Sequence, residues 1–250
     1  MIQESSKETK TALVTGGSRG LGRGIVEALV ARKMNVVTVA RDERRLATLA
    51  RDLGVRTVAA DVADEVAAGR IMQDVQPDLL VLNAGAAPLM RPLHLHTWAS
   101  FSENWESDTK ATFVWIREAL LLPLRPGSHV IVVSSGAALQ GSPLSGGYAG
   151  AKRAQWFVAE YAADEAKRLG LGLRFHCLLP ALNPSTDLGK AAISAYSKRL
   201  GLSDEEYAKR FGPPLTPAIM GQAVVDLHED GGRWSELAYR IGGAGLAALK

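Results

Sequence analysis

Short apolar runs alternate with longer segments of helical periodicity along most of this chain, and no other feature limits its fold as strongly. Runs that are apolar at nearly every position predict strands buried on both faces, and a helix after each such strand is typical of a parallel sheet. Because crossovers between parallel strands are right-handed, the pattern predicts an α/β fold: a doubly wound parallel sheet, Rossmann-like, of about seven strands with helices on both faces. The predicted strands are 11–17, 35–41, 55–62, 78–85, 128–135, 171–180 and 237–243.

The chain is predicted to form one domain over residues 1–250, since this length with 47% hydrophobic side chains suits a single α/β core. Residues 1–9 are polar and are expected to be a flexible N-terminus. Segment 181–220 has no strand pattern but carries helix-start signals at Ser203 and Thr216. We interpret this segment as a substrate loop or lid within the domain, with plain surface decoration as the alternative.

The composition argues against several classes of partner. The formal net charge is only +3 and the basic residues are dispersed, so no nucleic-acid surface is expected. The sequence has no signal-peptide pattern and no apolar run of about 18 residues, so we expect neither export nor a membrane span. The single cysteine, Cys177, rules out an intrachain disulfide and suits a reducing, cytoplasmic location.

The five histidines do not form a metal-binding pattern, because none is paired at ligand spacing with a cysteine or a carboxylate. No metal is therefore expected. His94 and His96 fall in a loop, where substrate contact and simple surface placement are both open. His176 alternates with Cys177 along a predicted buried strand and is interpreted as a hydrogen-bonded core histidine.

A glycine-rich turn, TGGSRGLG at residues 15–22, joins the first predicted strand to the first predicted helix. Glycines permit a tight bend and a close approach of the backbone to a phosphate, and the helix N-terminus offers free N–H groups with partial positive charge. The turn therefore predicts a site for the phosphates of a dinucleotide, with a plain turn as the alternative.

The residues at the end of the second predicted strand indicate whether NAD(H) or NADP(H) binds. An acidic residue about 20 positions further on is typical of NAD sites, because it accepts a hydrogen bond from the ribose 2′-OH. Here the strand ends in Ala40 and Arg41, and Arg19 lies inside the glycine turn. Two guanidiniums suit a 2′-phosphate, so NADP(H) is predicted in preference to NAD(H). Asp42 is the alternative ribose ligand, but we interpret it as a helix N-cap.

Tyr148 and Lys152, in YAGAK, are four residues apart and would share one face of a helix. A nearby ammonium favours the phenolate form of a tyrosine, which makes the phenol a general acid or base. The spacing alone is weak evidence, because such pairs also arise by chance. Ser135 ends the fifth predicted strand and would join them, since parallel sheets carry their sites beyond the carboxyl ends of their strands.

Together these pieces resemble the short-chain dehydrogenase/reductase family. The resemblance runs from about residue 10 to 247 and rests on TGGSRGLG, DV at 61–62, LNAG at 82–85, SS at 134–135, YAGAK and IGGAGL near the end. It implies an oxidoreductase that interconverts a carbonyl and an alcohol, with NADP(H) as cofactor and a small molecule as substrate. It also implies a homodimer or homotetramer built on the two long helices, where Trp115 and Trp156 are expected in the core or the interface.

The resemblance implies a role for each matched residue. Tyr148 would be the general acid or base, Ser135 would hydrogen-bond the substrate oxygen, and Lys152 would bind the nicotinamide ribose. Arg41 would hold the 2′-phosphate. The other residues expected to bind the cofactor are Gly16, Ser18, Arg19, Gly20, Leu21 and Gly22 in the turn, Asp61 and Val62 at the adenine, Asn83, Ala84 and Gly85 at the nicotinamide ribose, and Thr186 at the nicotinamide amide.

Two positions depart from the family pattern. Asp108, in a predicted helix over 101–122, stands where the family has an asparagine whose main chain holds a water leading to the lysine. A main-chain role could survive the change, whereas a carboxylate near Lys152 could alter the proton relay. Pro180-Ala181 replaces the family's Pro-Gly, and the loop that follows is one residue longer. These departures leave a second function open: an NADP-binding sensor or scaffold that has lost catalysis.

Overall fold

A single sheet organises the structure, a computed structural model that describes residues 9–184, 186–230 and 232–249. Its strands are β1 (Thr11–Thr15), β2 (Asn35–Ala40), β3 (Arg56–Ala59), β4 (Leu79–Leu82), β5 (His129–Val133), β6 (Arg174–Pro180), β7 (Ala238–Gly242) and β8 (Gly245–Ala248). They lie side by side in the order β3-β2-β1-β4-β5-β6-β7-β8. All neighbouring pairs are parallel except β7 with β8, which is antiparallel.

Helices follow most of the parallel strands. The α-helices are α1 (Gly20–Ala31), α2 (Glu43–Leu53), α3 (Glu65–Val75), α4 (Trp98–Asn104), α5 (Lys110–Leu121), α6 (Ala137–Gln140), α7 (Tyr148–Arg168), α8 (Asp187–Leu200), α9 (Asp204–Ala208) and α10 (Pro217–Glu229). Short 3-10 turns lie at Leu93–Leu95 and Lys209–Phe211. Within the described ranges, no helix combines the length and the apolar character needed to cross a bilayer.

The predicted doubly wound, Rossmann-like sheet is confirmed, but it has eight strands rather than about seven. The extra strand, β8, has the sequence GLAA; it is only four residues long and none of its residues is buried, unlike those of the central strands. It lies at the sheet edge, where it pairs with one neighbour, β7. The prediction for residues 1–9 lies, apart from Thr9, outside the described residues.

Two apolar layers cover the sheet because alternate strand residues point to opposite faces. Leu13, Leu80 and Val130 pack in the layer formed with α3, α5 and α7. Their neighbours face the layer formed with α1, α2 and α10; they include Ala12, Val14, Val81 and Ile131. The strand order reverses between β1 and β4, which opens a crevice at the carboxyl ends of those two strands.

Polar side chains cap the starts of three helices. The Asp42 side chain accepts a hydrogen bond from the Arg45 N–H and caps α2, as predicted. Ser203 forms a capping box with Glu206 at the start of α9. Thr216 caps α10, and the helix begins at Pro217. The sequence signals within segment 181–220 therefore correspond to real helix starts.

The long helix predicted over 101–122 is present, but it is not α-helical throughout. It consists of α4, a π-helical turn at Trp105–Thr109, and α5. Such wide turns interrupt regular helices at functional sites more often than elsewhere. Here the π turn contains Asp108, whose side chain is fully buried.

Three histidines meet in a buried cluster near the amino ends of β5 and β6. The distance from His129 Nε2 to His176 Nδ1 is 2.6 Å, and His176 Nε2 lies 3.0 Å from the carbonyl oxygen of Trp234. Because a carbonyl only accepts, His176 carries its proton on Nε2 and His129 donates from Nε2. The His228 ring stacks on His129 with 5.8 Å between centroids. The interpretation of His176 as a hydrogen-bonded core histidine is thus confirmed, but the sequence did not reveal its two partners.

The cluster should make the protein labile to acid. Burial lowers the pKa of all three histidines, and the charges of Lys10 and Arg174 help to lower that of His228 to about 4. A histidine with a lowered folded-state pKa contributes stability above its unfolded value, and this is lost as the pH falls through the folded value. For His228 the window runs from 6.5 to about 4, and the loss is roughly 1–3 kcal/mol.

Urea unfolding at a series of pH values measures this effect. His228→Phe keeps a ring against His129 but removes the titrating group, so its unfolding free energy should decline less steeply across the window than that of the wild type. His94, exposed in a 3-10 turn, supplies the matched control, and His94→Gln should decline like the wild type. Equal slopes for His228→Phe and the wild type would assign the acid lability to other groups.

Candidate active site

The glycine turn crosses from β1 to α1 at the carboxyl edge of the sheet. Gly16 and Gly20 have φ angles of +70° and +55°, in the left-handed region that favours glycine. A Cβ on Gly22 would lie 2.1 Å from the Gly16 carbonyl oxygen, so the turn admits no side chain there. Arg19 occupies the N-cap of α1 without a capping side-chain bond, which leaves the first N–H groups of the helix free. These amides and the bare turn suit the phosphates of a dinucleotide.

Hydrogen bonds join the loop after β4 to the glycine turn. The Asn83 side chain donates to the carbonyl oxygens of Thr15 and Gly16, each at 3.2 Å. The Thr15 hydroxyl accepts from the N–H groups of Asn83 at 3.0 Å and Ala84 at 3.1 Å. Asn83, Ala84 and Gly85 therefore border the crevice at a fixed distance from the turn.

Arg41 follows β2, and its exposed side chain has no ion-pair or hydrogen-bond partner among the residues that the structure describes. Asp42 is already engaged: besides its capping bond, its carboxylate lies 3.2 Å from the Arg45 guanidinium.

The loop after β3 is fixed by two hydrogen bonds. The Asp61 side chain accepts from the Ala63 N–H, and the Val62 carbonyl oxygen accepts from Trp115 Nε1 at 2.8 Å. Trp115 is thus a buried core residue that fixes this loop, as expected, and Asp61 and Val62 lie beyond the carboxyl end of β3.

Ser135, Tyr148 and Lys152 line one cavity of about 810 Å³ at the carboxyl edge of the sheet. Ser135 follows β5, and Tyr148 is the first residue of α7. The neighbouring Ser134 hydroxyl donates to the Lys152 carbonyl oxygen at 2.7 Å, which fastens the start of α7 to the end of β5. Leu21, Asn83, Gly85 and Thr186 also line this cavity. It therefore joins the glycine turn to the three residues predicted for catalysis.

The other predicted cofactor residues lie outside this cavity. Along the carboxyl edge of the sheet, Ala84 follows β4, and the others follow β1, β2 and β3: Gly16, Ser18, Arg19, Gly20, Gly22, Arg41, Asp61 and Val62. The Thr186 hydroxyl is already used locally, because it caps α8 and donates to the Asn183 carbonyl oxygen. His94 and His96 are absent from the described cavity lining, and both ring nitrogens of His96 are bound, to Ser100 and to the Arg91 carbonyl oxygen.

Lys152 is held by an acidic partner. Its Nζ atom lies 3.0 Å from Asp108 Oδ2 and 5.5 Å from the centre of the Tyr148 ring. Burial by itself lowers the pKa of Lys152, but the Asp108 carboxylate outweighs it, with Tyr148 and Cys177 contributing, and the pKa is raised above its ordinary value. Lys152 therefore stays an ammonium while it contacts the phenol ring.

The outer wall of the cavity is aromatic. Tyr196, Tyr207 and Phe211 line it from segment 181–220, and the Tyr196 and Tyr207 rings stack with 5.8 Å between centroids. The Tyr196 hydroxyl is 2.8 Å from the Ser142 hydroxyl, which ties α8 to the loop before α7. The charged side chains in the described lining are Lys152 and Arg240. No sequence signal pointed to these three rings, because their grouping depends on how segment 181–220 folds.

The chain matches the short chain dehydrogenase family over residues 10–196. L-fucose dehydrogenase from Oryctolagus cuniculus is 31% identical over 230 residues, which is 87% of this chain and 78% of the relative. L-xylulose reductase from Bos taurus is 33% identical over 210 residues, covering 81% of this chain and 83% of the relative.

Solved structures show the same fold. NAD+-bound xylitol dehydrogenase superposes with a TM-score of 0.81 at 18% identity, covering 94% of this chain and 98% of that one. Levodione reductase gives a TM-score of 0.80 at 20% identity, covering 94% and 96%. The chain therefore belongs to the short-chain dehydrogenase family, oxidoreductases that use a nicotinamide dinucleotide to interconvert an alcohol and a carbonyl.

Proposed function

We propose that this protein is an NADP(H)-dependent oxidoreductase in which Tyr148 is the general acid or base. The observation that carries the proposal is the shared cavity of Ser135, Tyr148 and Lys152, which opens toward the glycine turn. Preplaced donors of this kind stabilise charge that develops on a carbonyl oxygen. A buried ammonium beside a phenol makes proton exchange at that phenol easier.

The residues divide the chemistry among them. The nicotinamide, when bound, supplies or accepts the hydride. In reduction, the Tyr148 hydroxyl donates its proton to the substrate oxygen while the Ser135 hydroxyl donates a hydrogen bond to the same atom. In oxidation, Tyr148 takes that proton back. Lys152 supplies the positive charge that favours the phenolate, and in our proposal it also binds the nicotinamide ribose.

Cofactor binding is assigned along the carboxyl edge of the sheet. The turn residues Gly16, Ser18, Arg19, Gly20, Leu21 and Gly22 would hold the pyrophosphate and its ribose, since the helix amides there are free. Asp61 and Val62 would flank the adenine, and Asn83, Ala84 and Gly85 would border the nicotinamide ribose. Thr186 would meet the nicotinamide amide.

The preference for NADP(H) is supported by the charges beyond β2. Asp42 caps α2 and pairs with Arg45, so its carboxylate already has two contacts within its own helix. Arg41 has a guanidinium without a described partner. Arg19 lies 3.2 Å from Asp187, in an ion pair whose side chains are 61% and 84% exposed, and such pairs yield readily to a phosphate.

The cavity lining favours an uncharged substrate that contains a ring. Tyr207 and Phe211 offer aromatic faces, and Met90 and Leu182 add apolar contacts. The described lining contains no carboxylate that would recognise a cation, and of its two cations Lys152 is paired with Asp108 and Arg240 is exposed. We therefore propose a neutral cyclic or aromatic ketone and its alcohol as the substrate class, and segment 181–220 as the lid that selects it.

A panel of carbonyl compounds with NADPH tests the function. Neutral ring ketones should give kcat/KM values about tenfold or more above those of acyclic ketoses and 2-keto acids, because burying a ring against aromatic side chains is worth about 1–2 kcal/mol. Faster turnover of the ketoses would instead favour a sugar substrate like those named for the L-fucose and L-xylulose enzymes. Tight NADPH binding without turnover of any compound would support the sensor or scaffold alternative.

Association through the long helices is the proposed oligomeric arrangement. The outer faces of α5 and α7 expose large apolar side chains, among them Phe113, Leu121, Phe157 and Tyr161. Exposed apolar groups of this size mark interaction surfaces when they cluster. We propose a homodimer or homotetramer on these faces, in the cytoplasm; a monomer in light scattering would contradict the assembly.

A further inference from the structure

We propose that Asp108 is a positioning residue that sets the pH at which Tyr148 exchanges its proton, by offsetting the charge of Lys152. The inference rests on the proposed role of Tyr148. It concerns the position where this chain departs from the asparagine of its family, and it assigns the carboxylate itself a function.

The Asp108 carboxylate is fixed by donors on every side. Oδ1 accepts from the Ala86 N–H at 2.8 Å and from the Ser107 hydroxyl at 2.8 Å. Oδ2 lies 3.0 Å from Lys152 Nζ and 3.5 Å from Asn104 Nδ2. The side chain is 0% exposed. These contacts hold the Asp108 side chain in place against Lys152.

The main chain of Asp108 is engaged as well. Its carbonyl oxygen accepts from Gln155 Nε2 at 3.1 Å, so one of its two lone pairs is used within the protein. Gly85 packs against the ion pair, since a Cβ there would lie 3.0 Å from Asp108 Oδ2 and 3.2 Å from Lys152 Nζ. Lys152, at the wall of the cavity, is therefore bound directly to a carboxylate.

The titratable groups around Lys152 are few. Asp108 faces it from the π turn, Tyr148 from the same helix, and Cys177 from β6. Burial raises the pKa of the Cys177 thiol, so it stays neutral. Arg240 is the other charged side chain of the described cavity lining, and the Lys152–Asp108 pair places one positive and one negative charge beside the Tyr148 ring. In a poorly solvated site each charge acts strongly, and their effects on the phenol oppose each other.

The direction in which loss of the Asp108 charge shifts phenol ionisation follows from these opposed effects. A lone ammonium favours phenolate, and an adjacent carboxylate opposes that effect. Asp108→Asn keeps the side-chain shape and an oxygen for the Ala86 N–H but removes the negative charge. The midpoint of phenol ionisation should then move to lower pH by about one unit, a typical effect of one nearby charge.

Ultraviolet titration of tyrosinate in the protein without cofactor measures this midpoint independently of turnover. The chain has five tyrosines, so the signal of Tyr148 is isolated by subtracting the titration of Tyr148→Phe from that of the wild type, and likewise in the Asp108→Asn background. Asp74, an exposed carboxylate paired with Arg56, provides the matched control, and Asp74→Asn should leave the midpoint unchanged. The pH–rate profile for alcohol oxidation should move in the same direction for Asp108→Asn.

The double variant Asp108→Asn/Lys152→Gln separates the effect of charge from that of misfolding. Unlike Asp108→Asn, it leaves no unpaired charge buried at this site. Removing both charges should return the midpoint toward the wild-type value. An Asp108→Asn midpoint equal to that of the wild type, or a double variant as low as Asp108→Asn, would overturn the inference. A shifted titration in a protein that reduces no carbonyl would leave the inference standing and contradict the proposed function instead.

Discussion

Tyr148→Phe should lower kcat by about a thousandfold or more while leaving NADPH binding within about threefold of the wild type. The variant removes one hydroxyl, and a positioned general acid typically contributes between about a hundredfold and ten-thousandfold. Tyr148 is largely buried beside Lys152, and its ring remains in the variant, so the packing at the start of α7 is preserved. Steady-state kinetics and calorimetric titration with NADPH separate the two quantities.

The same helix offers a control for this change. Tyr161 lies on α7 with 66% of its surface exposed, far from the cavity lining. Tyr161→Phe should keep the wild-type kcat. If Tyr148→Phe also retained full turnover, proton transfer would have to come from another group, and the assignment of Tyr148 would be lost.

Arg41→Ala should weaken NADPH binding by about 10- to 100-fold and change NADH binding by less than about threefold. A hydrogen bond to a charged group is worth about 1.5–3 kcal/mol, and each 1.4 kcal/mol is tenfold in affinity. NADH lacks the 2′-phosphate, so it loses nothing comparable. Dissociation constants for both dinucleotides, measured on both proteins, give the selectivity ratio directly.

Arg51→Ala is the matched control for Arg41. Arg51 lies in the last turn of α2, exposed and paired with neighbouring Asp52, so its loss removes the same charge at the other end of the helix. It should leave the selectivity ratio unchanged. Equal losses for NADPH and NADH in Arg41→Ala would place the phosphate contact elsewhere, with Arg19 as the next candidate.

Much of the fold could be predicted because its signals are local. The central strands are apolar at nearly every position, and the glycine turn lies between a strand and a helix. Asp42, Ser203 and Thr216 begin the helices that their side chains predict. The edge strand β8 escaped prediction because it has only four residues, half of them exposed, with no β-branched or aromatic side chain.

The features that the sequence did not reveal depend on tertiary contacts. His129 and His176 lie 47 residues apart and meet only through the pairing of β5 with β6. The aromatic wall of Tyr196, Tyr207 and Phe211 depends on the path of segment 181–220. Asp108 was recognised as unusual, but its bond to Lys152 requires the π turn, and helical periodicity gives no sign of that turn.

Deuterium transfer from NADPH tests the central claim most directly. With NADPH labelled at the transferable position of the nicotinamide, the alcohol formed from the best ketone of the panel should carry one deuterium on its carbinol carbon. Mass spectrometry of the product detects it, and Tyr148→Phe should bind the labelled cofactor yet form almost no labelled alcohol. A protein that binds the cofactor but transfers no deuterium to any carbonyl would contradict the account.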